Sequence, residues 1–419
     1  MQFLSRHISS LVQEAFKVSP ILFLNGVRQS GKSTLVRDLA VQINENKTPV
    51  EYITFDKPTM MAAAASAPEA FLMSYDLPII IDEVQMVPEL FRALKLVVDE
   101  LRLKNGKKKT GFFLLTGSAN ILALPKLSDA LVGRMTVLTM YPFTTAEAAK
   151  NNGTGIGRIL KMDFKGLKST KLSLIEAIKI ATFPEISQAT NEERTIWFDS
   201  YITTILQRDV RQIAELDKIS LLPHLLTVLA TRAGGLMNDS DIAREVGLNS
   251  ITGKTYRNIL KMMFLTFDVK PWYRNIGKRL VKSPKGYLVD TCMISHLLGS
   301  DLAQMASLKP SLFGHLVENY VATELVKQLS NTGAKAELYH FRTSDGKEVD
   351  FILEQPDGSL IAIEVKKSEL VNQDDFNGIN VFKQLTGKDF KGGIVLYGGK
   401  EVVPFGEQLW AVPFSILWE

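Results

Sequence analysis

Residues 26–34 read Gly-Val-Arg-Gln-Ser-Gly-Lys-Ser-Thr, and this stretch decides the fold. Its first eight residues match the phosphate-loop pattern Gly-x-x-x-x-Gly-Lys-Ser/Thr. The apolar run 21–24 precedes the loop, and a helical pattern over 32–45 follows it. Because this strand–loop–helix context is the one that the pattern requires, the sequence predicts a nucleoside-triphosphate site on an α/β domain.

The loop has the chemistry of phosphate binding. Its glycines let backbone N–H groups turn around phosphate oxygens, and the helix amino terminus adds a favourable dipole. Lys32 is predicted to reach the β- and γ-phosphates, and the Ser33 hydroxyl to ligate Mg²⁺. The predicted ATP-binding residues are Gly26, Val27, Arg28, Gln29, Ser30, Gly31, Lys32, Ser33, Thr34, Thr116 and Ser118.

A second apolar run, 78–81, ends in two carboxylates, Asp82 and Glu83. Since the carboxyl ends of parallel strands meet at one edge of a sheet, these side chains are expected beside the phosphate loop. Asp82 is predicted to hold Mg²⁺ through water, and Glu83 to polarise the attacking water. The sequence has no Asn-Lys-x-Asp motif for reading guanine, so ATP is favoured over GTP.

Other apolar runs, at 52–55, 111–115 and 135–138, alternate with helical patterns at 60–74 and 89–104. This alternation predicts a doubly wound α/β domain, a P-loop NTPase with an AAA-like parallel sheet, over roughly residues 19–145.

Two positions near the later strands are candidates for acting on the γ-phosphate. The strand ending at residue 115 is followed by Thr116, Ser118 and Asn120, which are predicted either to sense the γ-phosphate or to form a simple polar turn. Arg134 precedes the last strand, where it could act as a finger on its own or a neighbouring nucleotide. A surface salt bridge is an equally good interpretation of Arg134. The predicted catalytic residues are Glu83, Lys32 and Arg134.

The composition sets outer limits. The chain has 419 residues, of which 46% are hydrophobic, and a net charge of +4, which allows two to four domains and excludes wholesale disorder. It has a single cysteine, Cys292, so an internal disulfide is excluded and a reducing cytoplasm is expected. We find neither an export signal nor an apolar run of membrane-spanning length, so no membrane partner is expected.

The patterns divide the chain into four predicted units. These are a P-loop ATPase core with an amino-terminal helix at 1–150, a helical lid region at 151–235, a winged helix at 236–300 and a final α/β unit at 301–419. An Asn- and Gly-rich stretch at 146–160 is interpreted as a flexible linker. The winged helix rests on two helical patterns between 239 and 264, followed by a predicted β-hairpin at 265–289.

The final unit contains a pattern of carboxylates. Asp350 lies on one predicted strand, and Glu364 and Lys366 lie two residues apart on the next, so their side chains share a face. This is the PD-(D/E)-x-K nuclease arrangement, in which Asp350 and Glu364 hold Mg²⁺ and Lys366 positions or activates water. Glu318, on the preceding predicted helix, adds an outer contact. A solvated strand face is the alternative interpretation.

Residues 270–289 are basic and contain no acid. On the wing of a winged helix this stretch predicts a DNA-contact surface. The predicted DNA-binding residues are Lys278, Arg279, Lys282 and Lys285. The alternative is a basic hairpin that packs on a neighbouring domain.

Several strings resemble one family along nearly the whole chain. The phosphate loop, Ile-Asp-Glu-Val-Gln at 81–85, Leu-Thr-Gly-Ser at 115–118 and Val-Gly-Arg-Met at 132–135 resemble the AAA-type ATPases of bacteria and archaea, which are related to the STAND-like signalling ATPases. The basic string 278–285, Glu-Val-Asp-Phe at 348–351 and Glu-Val-Lys at 364–366 are similar to the carboxyl-terminal domain of unknown function of that family. The resemblance implies an ATP-binding core, a helical region, a winged helix and a restriction-endonuclease-like end.

Three functions are consistent with these observations. The first is a Mg²⁺-dependent ATPase whose nucleotide state controls the carboxyl-terminal half and its engagement with DNA, another nucleic acid, a protein partner or further copies of the chain. The second is an ATP-gated nuclease. The third is a non-catalytic STAND-like signalling switch or scaffold that holds its nucleotide tightly.

Overall fold

The computed structural model describes residues 4–40, 42–43, 50–104, 110–118, 131–167, 171–210 and 218–419. A five-stranded parallel sheet carries the phosphate loop. Its strands are β1 (Ile21–Gly26), β2 (Glu51–Thr54), β3 (Ile79–Asp82), β4 (Phe113–Thr116) and β5 (Met135–Met140). The strand order β2-β3-β4-β1-β5 places β4 between β1 and β3. The predicted α/β fold with a parallel sheet is confirmed.

Helices cover both faces of this sheet, which explains why its strands are continuous apolar runs. The helices are α1 (Ser9–Val18), α2 (Lys32–Leu39), α3 (Pro58–Ser66), α4 (Pro68–Met73) and α5 (Leu90–Lys104). Leu22 and Leu24 of β1 pack with α1 and α2, whereas Ile21 and Phe23 pack with α4 and α5. The single helix predicted at 60–74 is two helices, because Pro68 supplies no backbone N–H and begins α4.

The middle of the chain is helical, as expected from its pattern. Its helices are α6 (Thr145–Ala148), α7 (Gly155–Lys161), α8 (Leu174–Ile180), α9 (Asn191–Thr204), α10 (Leu222–Thr231), α11 (Asp239–Glu245) and α12 (Ser250–Met262). Asn238 and Asn249 cap α11 and α12 with side-chain oxygens that accept backbone N–H groups.

The interpretation of 146–160 as a flexible linker is wrong. A Cβ on Gly155 would lie 1.8 Å from the Ile416 carbonyl oxygen, and the Ile156 N–H donates to Gln328 Oε1 at 2.9 Å. Gly155 therefore serves close packing against the carboxyl-terminal part of the chain.

An eight-stranded mixed sheet organises the second half. Its strands are β6 (Thr266–Pro271), β7 (Lys285–Leu288), β8 (Glu337–Arg342), β9 (Glu348–Glu354), β10 (Leu360–Lys366), β11 (Phe390–Tyr397), β12 (Val403–Gly406) and β13 (Leu409–Pro413), in the order β12-β13-β11-β10-β9-β8-β6-β7. Its helices are α13 (Ile276–Val281), α14 (Thr291–Leu297), α15 (Leu302–Leu308), α16 (Pro310–Thr332) and α17 (Asn377–Thr386).

The predicted hairpin at 265–289 is present, with two differences. The strands β6 and β7 are antiparallel neighbours, but the connection between them contains the helix α13, which Asn275 caps. In addition, β6 pairs in parallel with β8, so the predicted units 236–300 and 301–419 share one sheet. The winged helix itself stays a prediction.

Candidate functional site

The phosphate loop leaves β1 through a backbone that glycine alone fits. Gly26 has φ +136°, and a Cβ there would lie 2.1 Å from the Met140 carbonyl oxygen of β5. Gly31 has φ +94° and precedes α2. The first backbone N–H groups of α2 have no intrahelical partner by helix geometry, so they are available to an anion.

Lys32 is held inside this loop. Its side chain is 5% exposed, and its Nζ donates to the carbonyl oxygens of Gly26 at 3.1 Å and Val27 at 2.8 Å. Burial lowers the pKa of Lys32 to about 8, although Glu83 and Asp82 favour the charged form. Among the described residues, the buried Ser30 Oγ has no hydrogen-bond partner. A buried amine with an orphaned hydroxyl nearby fits a loop that takes up phosphate oxygens.

Asp82 and Glu83 lie at the carboxyl end of β3, as predicted. Asp82 is buried, and the hydroxyls of Tyr52 and Thr116 donate to its two oxygens. Glu83 adopts the left-handed conformation with φ +57°. A carboxylate and the Ser33 hydroxyl next to Lys32 form a donor set that suits Mg²⁺, which prefers oxygen ligands.

The end of β4 supplies the partners of both carboxylates. Thr116 Oγ1 also accepts the Glu83 N–H at 3.3 Å. Ser118 Oγ donates to Glu83 Oε2 at 3.1 Å, and Gln85 Nε2 donates to the same oxygen and to Ser118 Oγ. Thr116 and Ser118 therefore bind the carboxylate pair directly in this structure. The third candidate, Asn120, lies outside the described residues.

A cavity of about 610 Å³ opens beside the phosphate loop. Its walls include Ser30, Gly31 and Thr34 from the loop side and Phe143 and Pro184 from the segments that follow β5 and α8. This volume is within the range of small-ligand sites, roughly 300–1,000 Å³.

Arg6 closes one side of this cavity. Its guanidinium lies over the Phe143 ring, donates to the Ser30 carbonyl oxygen at 2.7 Å and pairs with Glu147 at 2.9 Å. Both charged side chains of this ion pair are buried. Burial alone would raise the pKa of Glu147, but Arg6 and the N–H groups of Thr144 and His7 lower it.

The structure does not bring Arg134 to the phosphate loop. The Arg134 carbonyl oxygen accepts the N–H of Ile21, which is the first residue of β1. The phosphate loop follows the last residue of β1, so Arg134 and the loop lie at opposite ends of that strand. Its guanidinium donates to both carboxylate oxygens of Asp99 at 2.7 Å. The surface salt bridge is therefore the interpretation that fits within one chain, and an action on a neighbouring chain's nucleotide stays a prediction.

The structure does bring the carboxyl-terminal carboxylates together, around a residue predicted elsewhere. Lys285 Nζ lies 2.9 Å from Glu318 Oε1, 2.5 Å from Glu348 Oε1 and 3.2 Å from Asp350 Oδ1. Lys366 Nζ lies 3.0 Å from Glu364 Oε1. We call Lys285, Glu318, Glu348, Asp350 and Glu364 the carboxylate cluster.

Burial dominates the protonation of this cluster. Burial and, after it, the charge of Asp350 raise the pKa of Glu318 to about 7 and that of Glu364 to about 8. Burial opposes the charge on Lys285, but Asp350, Glu318 and Glu348 raise its pKa above the usual value.

The predicted DNA-contact surface needs correction at two of its four residues. The Lys285 side chain is 3% exposed and lies in the carboxylate cluster. Arg279 pairs with Glu354 and lies over the rings of Trp272 and Tyr339. Lys278 and Lys282 are exposed. The sequence pattern could not indicate these ion pairs, because Lys285 and Arg279 pair with acids that lie more than 30 residues away in sequence.

Sequence reasoning missed several residues that complete the first site. Tyr52, Gln85, Arg6 and Glu147 carry no motif of their own. Gln85 is part of the string 81–85 and follows Glu83 by two residues, which is a local signal that could have indicated a partner. Arg6 and Glu147 are separated by 141 positions, so no local pattern could have paired them.

The AAA domain family matches residues 18–149. Two domains of unknown function match the remainder, DUF8612 over 172–304 and DUF4143 over 313–417. The first match agrees with the parallel sheet and its phosphate loop, and it supports an AAA-type fold for residues 18–149.

Relatives of similar length are known. An uncharacterized protein of Mycobacterium tuberculosis is 28% identical over 364 residues, which is 87% of this chain and 74% of that protein. An uncharacterized protein of Haemophilus influenzae is 24% identical over 369 residues, with 83% and 84% covered.

The similarity of this chain to solved structures is low. AMPPCP-bound DnaA from Aquifex aeolicus is 12% identical with a TM-score of 0.30, covering 61% of this chain and 85% of DnaA. Cdc6p from Pyrobaculum aerophilum is 11% identical with a TM-score of 0.27, covering 75% and 92%. Scores this low carry no functional argument. Within the described residues, no helix is both long and apolar enough to cross a bilayer.

Proposed function

We propose that this protein binds ATP with Mg²⁺ and hydrolyses it, and that the bound nucleotide controls the carboxyl-terminal half. The observation that carries the proposal is the buried Lys32 amine at the first residue of α2. It donates to two carbonyl oxygens of the loop, and the carboxylates of Asp82 and Glu83 favour its charge. The match of residues 18–149 to the AAA domain supports it.

Each residue then has a defined task. Lys32 and the first N–H groups of α2 bind the phosphates, and Ser33 and Asp82 would hold the metal ion. Mg²⁺, when bound, supplies positive charge that stabilises the transferring phosphoryl group. Glu83 orients and polarises the attacking water, and Thr116 and Ser118 position the two carboxylates. The adjoining cavity of about 610 Å³ receives the base and sugar.

The test is replacement of Lys32 by Ala. Loss of a charge-assisted contact of about 1.5–3 kcal/mol should weaken ATP binding roughly 10- to 100-fold. Binding of a fluorescent ATP analogue, followed by fluorescence anisotropy, measures this. Lys278→Ala removes an exposed lysine and is the matched control. Unchanged binding by a folded Lys32→Ala variant would rule out the proposed site.

A second candidate function is a switch that retains its nucleotide and turns over slowly. The hydrogen bonds of Glu83 to Ser118 and Gln85 favour it, because they hold the carboxylate oxygen that has to engage water. Comparison with Glu83→Gln separates the two functions. If the protein is an ATPase, the wild type should hydrolyse ATP much faster than Glu83→Gln. If it is a switch, the wild type should copurify with nucleotide and hydrolyse ATP as slowly as Glu83→Gln.

DNA engagement stays a proposal of lower rank, and an ATP-gated nuclease would require the carboxylate cluster to release Lys285. With Arg279 and Lys285 committed to internal ion pairs, the exposed part of the predicted DNA surface contains Lys278 and Lys282. A protein partner or further copies of the chain are equally compatible with this surface.

A further inference from the structure

The predicted nuclease arrangement requires a divalent metal ion between Asp350 and Glu364, and the residues present do not fit one. Within the ranges that the structure describes, no group of three His, Cys, Asp or Glu side chains is arranged to hold a metal ion. The reason is visible at the carboxylate cluster. Oxygens from α16 and β9 converge on the ammonium group of Lys285.

The three donors of the Lys285 ammonium match the three carboxylates that surround it. The nitrogen–oxygen distances to Glu318, Glu348 and Asp350 are 2.9, 2.5 and 3.2 Å. Mg²⁺ requires oxygen ligands at about 2.0–2.1 Å in octahedral geometry. A metal ion among these oxygens would have to displace the ammonium group.

Further hydrogen bonds hold the carboxylates of the cluster. Tyr287 donates its hydroxyl at 2.7 Å to Glu318 Oε1, the oxygen that Lys285 also contacts, and the Val365 N–H donates to Asp350 Oδ2 at 3.0 Å. Glu364 pairs with Lys366 through Oε1. In the described part of the chain, the buried Glu364 Oε2 lacks a hydrogen-bond partner, but a single free oxygen does not make a metal site.

The backbone fixes Lys285 in this position. The Gly286 N–H donates to the Gly235 carbonyl oxygen at 3.1 Å, and the Gly234 N–H donates to that of Gly286 at 2.9 Å. Gly234 has φ +79°, and a Cβ there would lie 3.1 Å from the Glu318 carboxylate. The Gly234–Gly235 turn, which is hydrogen-bonded to β7, is therefore packed directly against the Glu318 carboxylate.

We infer that Lys285 is a built-in counter-cation that takes the place of a metal ion beside Asp350 and locks β7 to α16 and β9. In this conformation, ion pairs hold the carboxylate cluster together, and it has no room for Mg²⁺ or Mn²⁺. The carboxyl-terminal half can then bind a partner or respond to the nucleotide, but it cannot use a metal ion at this position. This inference holds whether or not the amino-terminal domain hydrolyses ATP.

The native chain itself provides the first test. Lysine acylation followed by mass spectrometry should modify Lys285 at least roughly 10-fold more slowly than the exposed Lys282, because burial and ion pairing shield the amine. Addition of millimolar Mn²⁺ should leave this ratio unchanged. Selective acceleration at Lys285 by Mn²⁺, or equal labelling of both lysines without it, would overturn the inference.

The second test creates the metal site. Lys285→Met should gain one Mn²⁺ per chain, measured by electron paramagnetic resonance, and Lys285→Met/Asp350→Asn should lose it. Lys282→Met is the matched control and should behave as the wild type. An Asp350-dependent Mn²⁺ site already present in the wild type, or none in a folded Lys285→Met variant, would contradict the inference. If Lys285→Met does not fold, the labelling experiment decides alone.

Discussion

At the scale of single residues, the surroundings of a buried group decide whether its charged form is favoured. Lys32 and Cys292 are both buried, but their surroundings differ. The amine of Lys32 faces loop carbonyl oxygens and carboxylates that favour its charge. The thiol of Cys292 lies 3.5 Å from Arg194 Nη1, yet burial raises its pKa to about 12.

Cys292 should therefore be unreactive in the native protein. At pH 8 a thiol with this pKa is about 10³-fold less ionised than an ordinary one, and the thiolate is the reacting form. We expect a chromogenic disulfide reagent to react at least about 100-fold more slowly with the native chain than with the chain unfolded in urea. Fast, stoichiometric reaction of the folded protein would show that the thiol is accessible and ionised.

At the scale of elements, α16 is the helix that joins the two halves. Lys327 donates to the carbonyl oxygens of Phe143 and Ala181, both at 2.9 Å. Glu324 accepts the Thr145 N–H at 3.1 Å. Two turns earlier on the same helix, Glu318 enters the carboxylate cluster. The buried charges of α16 thus bind the segment after β5, which also lines the cavity beside the phosphate loop.

Burial of Glu324 gives a testable dependence on pH. Burial raises the pKa of Glu324 to about 7, so the folded state binds a proton that the unfolded state releases above its ordinary pKa of about 4.3. The contribution of Glu324 to the free energy of unfolding should therefore be largest at acidic pH and fall as the pH rises to about 7.

Glu324→Gln should make the difference in stability between pH 5 and pH 7.5 smaller, by a few kcal/mol at most, since one pKa unit corresponds to about 1.4 kcal/mol. Urea unfolding at both pH values measures this difference. Glu369→Gln, at an exposed position, is the control and should follow the wild type. Equal pH dependence in all three proteins would show that Glu324 is ionised in the fold.

The sequence was most informative where function depends on adjacent residues. The phosphate loop, Asp82 and Glu83 could be predicted because a short motif between a strand and a helix has one favourable geometry. The position of Arg134 could also have been anticipated. Arg134 precedes β5 and the phosphate loop follows β1, and because these strands are parallel, the two lie at opposite edges of the sheet. The surroundings of Lys285 could not be predicted in this way. They depend on the pairing of β6 with β8, two strands that lie about 70 residues apart in sequence.

At the scale of the whole molecule, the described contacts form a continuous route from the cavity to the carboxylate cluster. Phe143 lines the cavity and accepts a hydrogen bond from Lys327. The helix α16 then continues to Glu318, which contacts Lys285 of β7. A ligand in the cavity that changes the packing of Phe143 can therefore affect α16 and, through it, the carboxylate cluster.

Nucleotide binding should therefore be detected in α16. We expect ATP to slow amide hydrogen exchange in residues 141–148 and also in α16, because ordering of the first segment stabilises the hydrogen bonds to the second. Mass spectrometry of peptides from both segments measures the effect. Lys32→Ala, treated in the same way, should show no change. Protection confined to residues 26–34 would show that the two halves are not coupled.

The shared eight-stranded sheet also has a consequence for synthesis on the ribosome. Strands β6 and β7 leave the exit tunnel before the strand that covers β6 has been made, because β8 begins at Glu337. During that interval β6 presents an open edge, and Lys285 lacks the three acids that later surround it. Nascent chains should therefore be prone to aggregation, and helped by a chaperone, from the emergence of β6 until β8 has emerged. A chain cut between the two domains of unknown function would stay in that state permanently.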